Sequence, residues 1–122
     1  MTGTPVIYAV DDMEDLTELY TTLLEAIGYS VKTFNNRAEA LSALTAEKTK
    51  PKLLITDYLG LSMSVDQFLR RSLAVHPTLR ILMASGFDRT GMRFLQASPD
   101  RFLEKPFTPE ELQREVRAAL AA

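Results

Sequence analysis

The chain has 122 residues, 46% hydrophobic and 25% charged, which suits one domain with a real core and shows no bias toward disorder. A formal net charge of -2 lacks the basic footprint of a nucleic-acid-binding domain, and Arg70, Arg71 and Arg80 read as solvated helix and loop charges. With no cysteine and one histidine, His76, the sequence excludes disulfides, thiol catalysis and zinc sites built on cysteine or on several histidines.

Short apolar runs alternate with helix-period segments. Residues 5–10 read as a buried strand. Residues 13–27 place Leu16, Leu19, Tyr20, Leu23, Leu24 and Ile27 at steps of three and four, which predicts one apolar stripe on a helix closed by Gly28. Residues 29–34 alternate like a strand, and Asn35 or Asn36 can cap a helix from Arg37 to Glu47 that buries Ala38, Leu41 and Leu44. After Pro51, residues 52–57 read as a short strand covered on both faces, ending at Asp57. A helix at 65–75 turns Val65, Phe68, Leu69 and Leu73 inward and stops at Pro77. Residues 79–84 form a further strand, 88–97 a helix weakened by Gly91, and 101–104 a short strand. Thr108-Pro109-Glu110-Glu111 is a helix start with a Thr cap, Pro at the first position and Glu at the third; Leu112, Val116, Ala119 and Leu120 face the core.

This is a strand–helix unit repeated five times over one domain, residues 1–122. It predicts an α/β fold: a doubly wound five-stranded parallel sheet in a three-layer sandwich. No apolar run reaches membrane length and no signal peptide is visible, so the expected location is the cytoplasm.

In such a sheet ligands bind beyond the carboxyl ends of the strands. The expected strands end at Asp11-Asp12, Asp57, Ser85-Gly86 and Lys105-Pro106, so three acids, a hydroxyl and a lysine meet at one edge. Crowded carboxylates repel, and a divalent cation relieves them. Mg²⁺ prefers oxygen ligands, and an aspartate beside it can act as a nucleophile toward phosphorus. Each piece also has a plainer meaning: an acid pair after a strand is equally a helix cap, and Asp, Ser-Gly and Lys-Pro are ordinary loop residues. Their joint placement favours the site.

The segments Val6-Ile7-Tyr8-Ala9-Val10-Asp11-Asp12, Leu53-Leu54-Ile55-Thr56-Asp57, Ile81-Leu82-Met83-Ala84-Ser85-Gly86 and Phe102-Leu103-Glu104-Lys105-Pro106-Phe107 resemble, in order and spacing, a response-regulator receiver domain of two-component signalling. The resemblance covers nearly the whole chain and implies a CheY-like, flavodoxin-like fold. It implies that Asp57 accepts a phosphoryl group from a sensor histidine kinase or a histidine phosphotransfer protein. Asp12 and Asp57 would ligate Mg²⁺ (or Mn²⁺ in its place), Asp11 would act mainly through water, and the Leu59 backbone carbonyl would complete the protein ligands. Ser85 would be the switch hydroxyl, Lys105 the phosphoryl partner, Phe102 the aromatic switch and Lys105–Pro106 a cis bond.

Partner binding would change on the face made by the 88–97 helix, the fifth strand and the last helix. The partner is a separate protein, a second copy, or a covalently linked kinase, with no nucleic acid or membrane contacted directly. The chain is expected to carry no output domain and to be no enzyme beyond its own phosphoryl transfer and hydrolysis. The loop after Asp57 departs from the family pattern: Leu61 and Val65 stand where many members have Pro and Gly, and Gly60 precedes them. Leu59 and Phe87, both apolar, are expected to flank the phosphoryl group and slow an attacking water. Two other readings are a constitutive docking module and an aspartyl phosphohydrolase. Leu59 opposes the second, because such enzymes commonly carry an acid there.

Overall fold

The computed structural model describes residues 4–58, 63–86 and 99–121. In chain order the elements are β1 Val6–Val10, α1 Glu14–Glu25, β2 Ser30–Phe34, α2 Arg37–Ala46, β3 Leu53–Thr56, α3 Val65–Val75, β4 Arg80–Ser85, β5 Arg101–Glu104 and α4 Pro109–Ala121. The helix expected at 88–97 lies outside the described residues, so α4 denotes the last helix. All strand pairs are parallel, in the order β2-β1-β3-β4-β5. The chain steps outward from β1 to β2 and then returns past β1 to β3. The winding therefore reverses between β1 and β3, and a crevice opens there beyond their carboxyl ends.

Side chains alternate across a strand, and each central strand feeds two cores. Tyr8, Val10, Leu54, Ile81 and Met83 join Phe34, Ala40, Leu44, Val65, Phe68, Leu69 and Leu79 under α2 and α3. Ile7, Ala9, Leu53, Ile55, Leu82, Ala84 and Leu103 join Tyr20, Leu24, Leu112, Val116 and Ala119 under α1 and α4. Continuous apolar runs in β1, β3 and β4 follow from burial on both faces. The edge strand β2 differs: Ser30, Lys32 and Thr33 are exposed, Val31 is half-buried, and Phe34 alone is fully inside.

The helix ends follow local chemistry. Gly28, with φ of 99°, takes the left-handed conformation that closes α1, and the Tyr29 N–H returns to the Leu24 carbonyl. Asn36, rather than Asn35, caps α2 through the Glu39 N–H, and Ser64 caps α3 through the Gln67 N–H. Thr108 and Glu111 form a reciprocal capping box on α4, and those hydrogen bonds hold the Glu111 carboxyl below its ordinary pKa.

Three expected faces are corrected. Leu19 is 41% exposed; the buried place beside Leu16 goes to Thr17, whose hydroxyl donates to the Glu14 carbonyl. In α2 the stripe is Arg37, Ala40 and Leu44, with Leu41 half-buried and Ala38 exposed, because the first turn points toward the carboxyl edge and meets polar groups there. In α3 Ser72 is buried and Leu73 only partly so. Strand bounds shift by a residue or so: Lys52 and Asp57 fall outside β3, and Ser85 is the last residue of β4 rather than the first after it. His76 closes α3 against the strand start, with Nε2 2.9 Å from the Pro51 carbonyl oxygen.

Leu82 is fully buried in the central layer, so Leu82→Ala is expected to cost about 2–5 kcal/mol in urea denaturation. Thr108→Ala, which removes one half of the capping box, is expected to cost about 1 kcal/mol by the same measurement.

Candidate functional site

β1 and β3 deliver their first polar residues at the crevice. Asp11 follows Val10 and is 3% exposed; Asp57 follows Thr56 and is half-buried; Asp12 is exposed. One carboxylate oxygen from each lies within 4.8 Å of the others, the sole such acidic group among the described residues. Three hard oxygen donors at this spacing are a fitting ligand set for a divalent cation.

Asp11 is held on every side. Its N–H donates to the Phe34 carbonyl at 3.1 Å, which carries the ladder one residue past the strands. Its carbonyl accepts from the Asn35 side-chain amide at 3.0 Å, and its Oδ1 accepts the Met13 N–H at 3.0 Å, satisfying a free donor at the start of α1. The capping role and the site role thus coexist in one carboxylate, because its second oxygen, Oδ2, stays available to Lys105.

Lys105 reaches both inner acids. Its Nζ lies 2.8 Å from Asp11 Oδ2 and 3.3 Å from Asp57 Oδ2. The lysine is placed by β5: its N–H donates to the Ser85 carbonyl at 2.9 Å, one step beyond the ladder. The chain then turns at a cis Lys105–Pro106 bond. Phe107 stacks on Tyr20 of α1, with ring centroids 5.9 Å apart and planes 12° from parallel. Burial, with added repulsion from Asp11 and Asp57, drives the Tyr20 phenol well above its ordinary pKa, so it stays neutral. Its hydroxyl is buried without a hydrogen-bond partner.

Ser85 is 1% exposed at the end of β4, on the same edge. Phe102 is half-buried and packs against the core under α2 and α3. The crevice therefore gathers Asp11, Asp12, Asp57 and Lys105, with Ser85 at the end of the neighbouring strand β4 and Phe102 within β5. Leu59 and Phe87 lie outside the described residues.

Two polar residues at the site are not legible in the sequence. Asn35 reads there as an alternative cap. Arg37 reads only as the first residue of a helix, with no role assigned, and it is 4% exposed. Its Nη2 donates to the Asp57 carbonyl at 2.7 Å and its Nη1 to the Met63 carbonyl at 2.8 Å. The double asparagine before it, straight after a strand, was the available signal that this turn faces the carboxyl edge.

The chain matches the family model of the response regulator receiver domain over residues 7–117, and it belongs to that family, whose members are generally signalling switches of two-component systems. Among its relatives, the CpxR homolog of Haemophilus influenzae, a transcriptional regulatory protein, is 35% identical over 91% of this chain and 48% of its own length. The response regulator receiver protein CpdR of Brucella abortus is 30% identical over 95% of this chain and 97% of its own length. The C4-dicarboxylate transport transcriptional regulatory protein DctD of Rhizobium meliloti is 28% identical over 98% of this chain but 26% of its own length. The chain thus spans less than half the length of two of these three relatives. In fold it is similar to the chemotaxis protein CheY4 of Vibrio cholerae, with a TM-score of 0.86 at 23% identity, covering 97% of this chain and 100% of that one. It is likewise similar to the response regulator TrrA of Thermotoga maritima, solved in complex with Mg²⁺ and BeF, with a TM-score of 0.84 at 22% identity, covering 96% of this chain and 100% of that one. None of the helices among the described residues is long and apolar enough to cross a membrane.

Removing the cation should expose the cost of gathering these acids. Lys105→Met is expected to destabilise the metal-free domain by about 2 kcal/mol, below the full effect of breaking a buried pair because Lys105 is 20% exposed. In the same urea titrations, adding Asp11→Asn to Lys105→Met should cost much less than the two single losses summed, as expected for directly coupled groups.

Proposed function

We propose that this domain is a phosphorylation-dependent switch with Asp57 as the phosphoryl acceptor. The observation that carries this reading is the meeting of three carboxylate oxygens within 4.8 Å, with Lys105 bonded to both Asp11 and Asp57, at the winding reversal of the sheet. The donor is a phosphohistidine of a kinase or phosphotransfer protein. An Asp57 carboxylate oxygen attacks phosphorus, the new O–P bond forms as the N–P bond breaks, and the imidazole leaves with the electron pair.

Asp12, Asp57 and, through water, Asp11 would hold Mg²⁺, with the Leu59 carbonyl as a further ligand. Bound there, the ion supplies positive charge against the oxygens of the transferring group. The chain's own residues do the rest. Lys105 releases its hold on the Asp57 carboxylate and pairs with a phosphoryl oxygen while staying near Asp11. Ser85 donates its hydroxyl to another. Drawing in Ser85 vacates space behind β5 that Phe102 turns to fill, and the face around β5 and α4 changes for its partner. Leu59 and Phe87, two residues after Asp57 and Ser85 in the sequence, would shield the acyl phosphate from water.

The reading makes a direct demand. With acetyl phosphate and Mg²⁺, intact-mass measurement should find one phosphoryl group added to the wild type, none with a chelator present, and none on Asp57→Asn. Equal modification of Asp57→Asn would sink the assignment.

A further inference from the structure

Arg37 reaches the main chain of the acceptor from a different element, the start of α2. It opens α2, is 4% exposed, and spends two of its five donors on main-chain carbonyls, those of Asp57 and Met63. A guanidinium is costly to bury, and burial pulls its pKa down while the charges of Asp57, Asp12 and Asp11 oppose that pull. It nonetheless remains a cation. Core packing alone does not require so costly a group at this position, since an apolar side chain of similar length would fill the volume without desolvating a charge.

The two carbonyls it grips stand on either side of residues 58–62. That stretch reads Tyr-Leu-Gly-Leu-Ser in the sequence. The Asp57 carbonyl also accepts from the Thr56 hydroxyl at 3.1 Å, so two donors fix the peptide plane that follows the acceptor. On the other side, β3 runs between β1 and β4 up to Thr56. Asp57 is thereby pinned from before by the sheet and from after by a side chain of another element. The planar fork of the guanidinium sets the spacing of its two carbonyls rigidly, which a lysine point charge does not do.

We propose that Arg37 is a positioning residue for phosphoryl acceptance: its bidentate grip on the Asp57 and Met63 carbonyls orients the acceptor. The proposal rests on Asp57 being the acceptor. It assigns the grip, rather than the charge or the packing, as what matters.

The test compares wild type, Arg37→Lys and Arg37→Met for the rate of phosphorylation by acetyl phosphate at saturating Mg²⁺, with circular dichroism and thermal melts in parallel. A shift of about an ångström in a reacting group costs up to about a hundredfold in rate, so both variants are expected to be slowed about tenfold or more while remaining folded. Arg37→Lys should not rescue, since it restores charge without the fork. A folded variant with a lowered melting temperature but a rate within about twofold of wild type would show a merely structural role and overturn the proposal. Rescue by Arg37→Lys but not by Arg37→Met would assign the effect to charge and overturn it equally. Where the lysine variant does not fold, the apolar methionine variant is read alone. A wild type that takes up no phosphoryl group refutes the acceptor role of Asp57 instead, a result distinct from either outcome for Arg37.

Discussion

The site depends on a balance of charge: three carboxylates share a space under 5 Å across, and one ammonium sits between the two inner ones. Two like charges about 4 Å apart near a protein surface repel by roughly 4 kcal/mol, and a cation among them relieves a cost of that order. Much of the local structure keeps that cation in place. The ladder continues one step past β4 and β5 to fix the lysine backbone, and the Phe107–Tyr20 stack secures the turn beyond it. On the acid side, the Asn35 amide and the Met13 N–H bind Asp11 so that one oxygen remains for Lys105.

That balance also gives the fold a way to respond. Lys105 lies between two acids, so in the proposed switch an added negative group on one of them would redraw its bonds without any new charge having to enter from solvent. Its backbone is tied to Ser85, and α4 begins four residues on behind a capping box. A change at the lysine is therefore next to both the end of β4 and the start of a rigid helix. Phe102, half-buried three residues earlier in β5, occupies the boundary between the core and the surface, where the proposed switch would present such a change to a partner.

The sequence made the sheet legible because burial on both faces writes continuous apolar runs, and β1, β3 and β4 consist of them. The cap at Thr108 and the glycine stop at Gly28 were legible because each is a local rule of chain geometry. The acids and the lysine were legible because strand ends face one edge of a parallel sheet. What escaped was tertiary. Leu19 fits the apolar stripe of α1, yet it stands in solvent, while a threonine able to satisfy its hydroxyl within the helix takes the inner place. Arg37 escaped for the same reason in reverse: nothing local distinguishes a solvated arginine from one whose donors are met by carbonyls of another loop.

The alternation of side chains across the sheet has a consequence for how the domain tolerates change. Leu82 and Met83 are adjacent in the chain, yet one belongs to the layer of α1 and α4 and the other to the layer of α2 and α3. The backbone between them acts as a partition wall, and the buried side chains of the two layers form separate clusters among the described residues. The two layers meet at the carboxyl edge, where Lys105 hangs from one and Arg37 from the other. A domain built this way can have its two halves redesigned separately, so long as the seam where they jointly hold Asp57 is left alone.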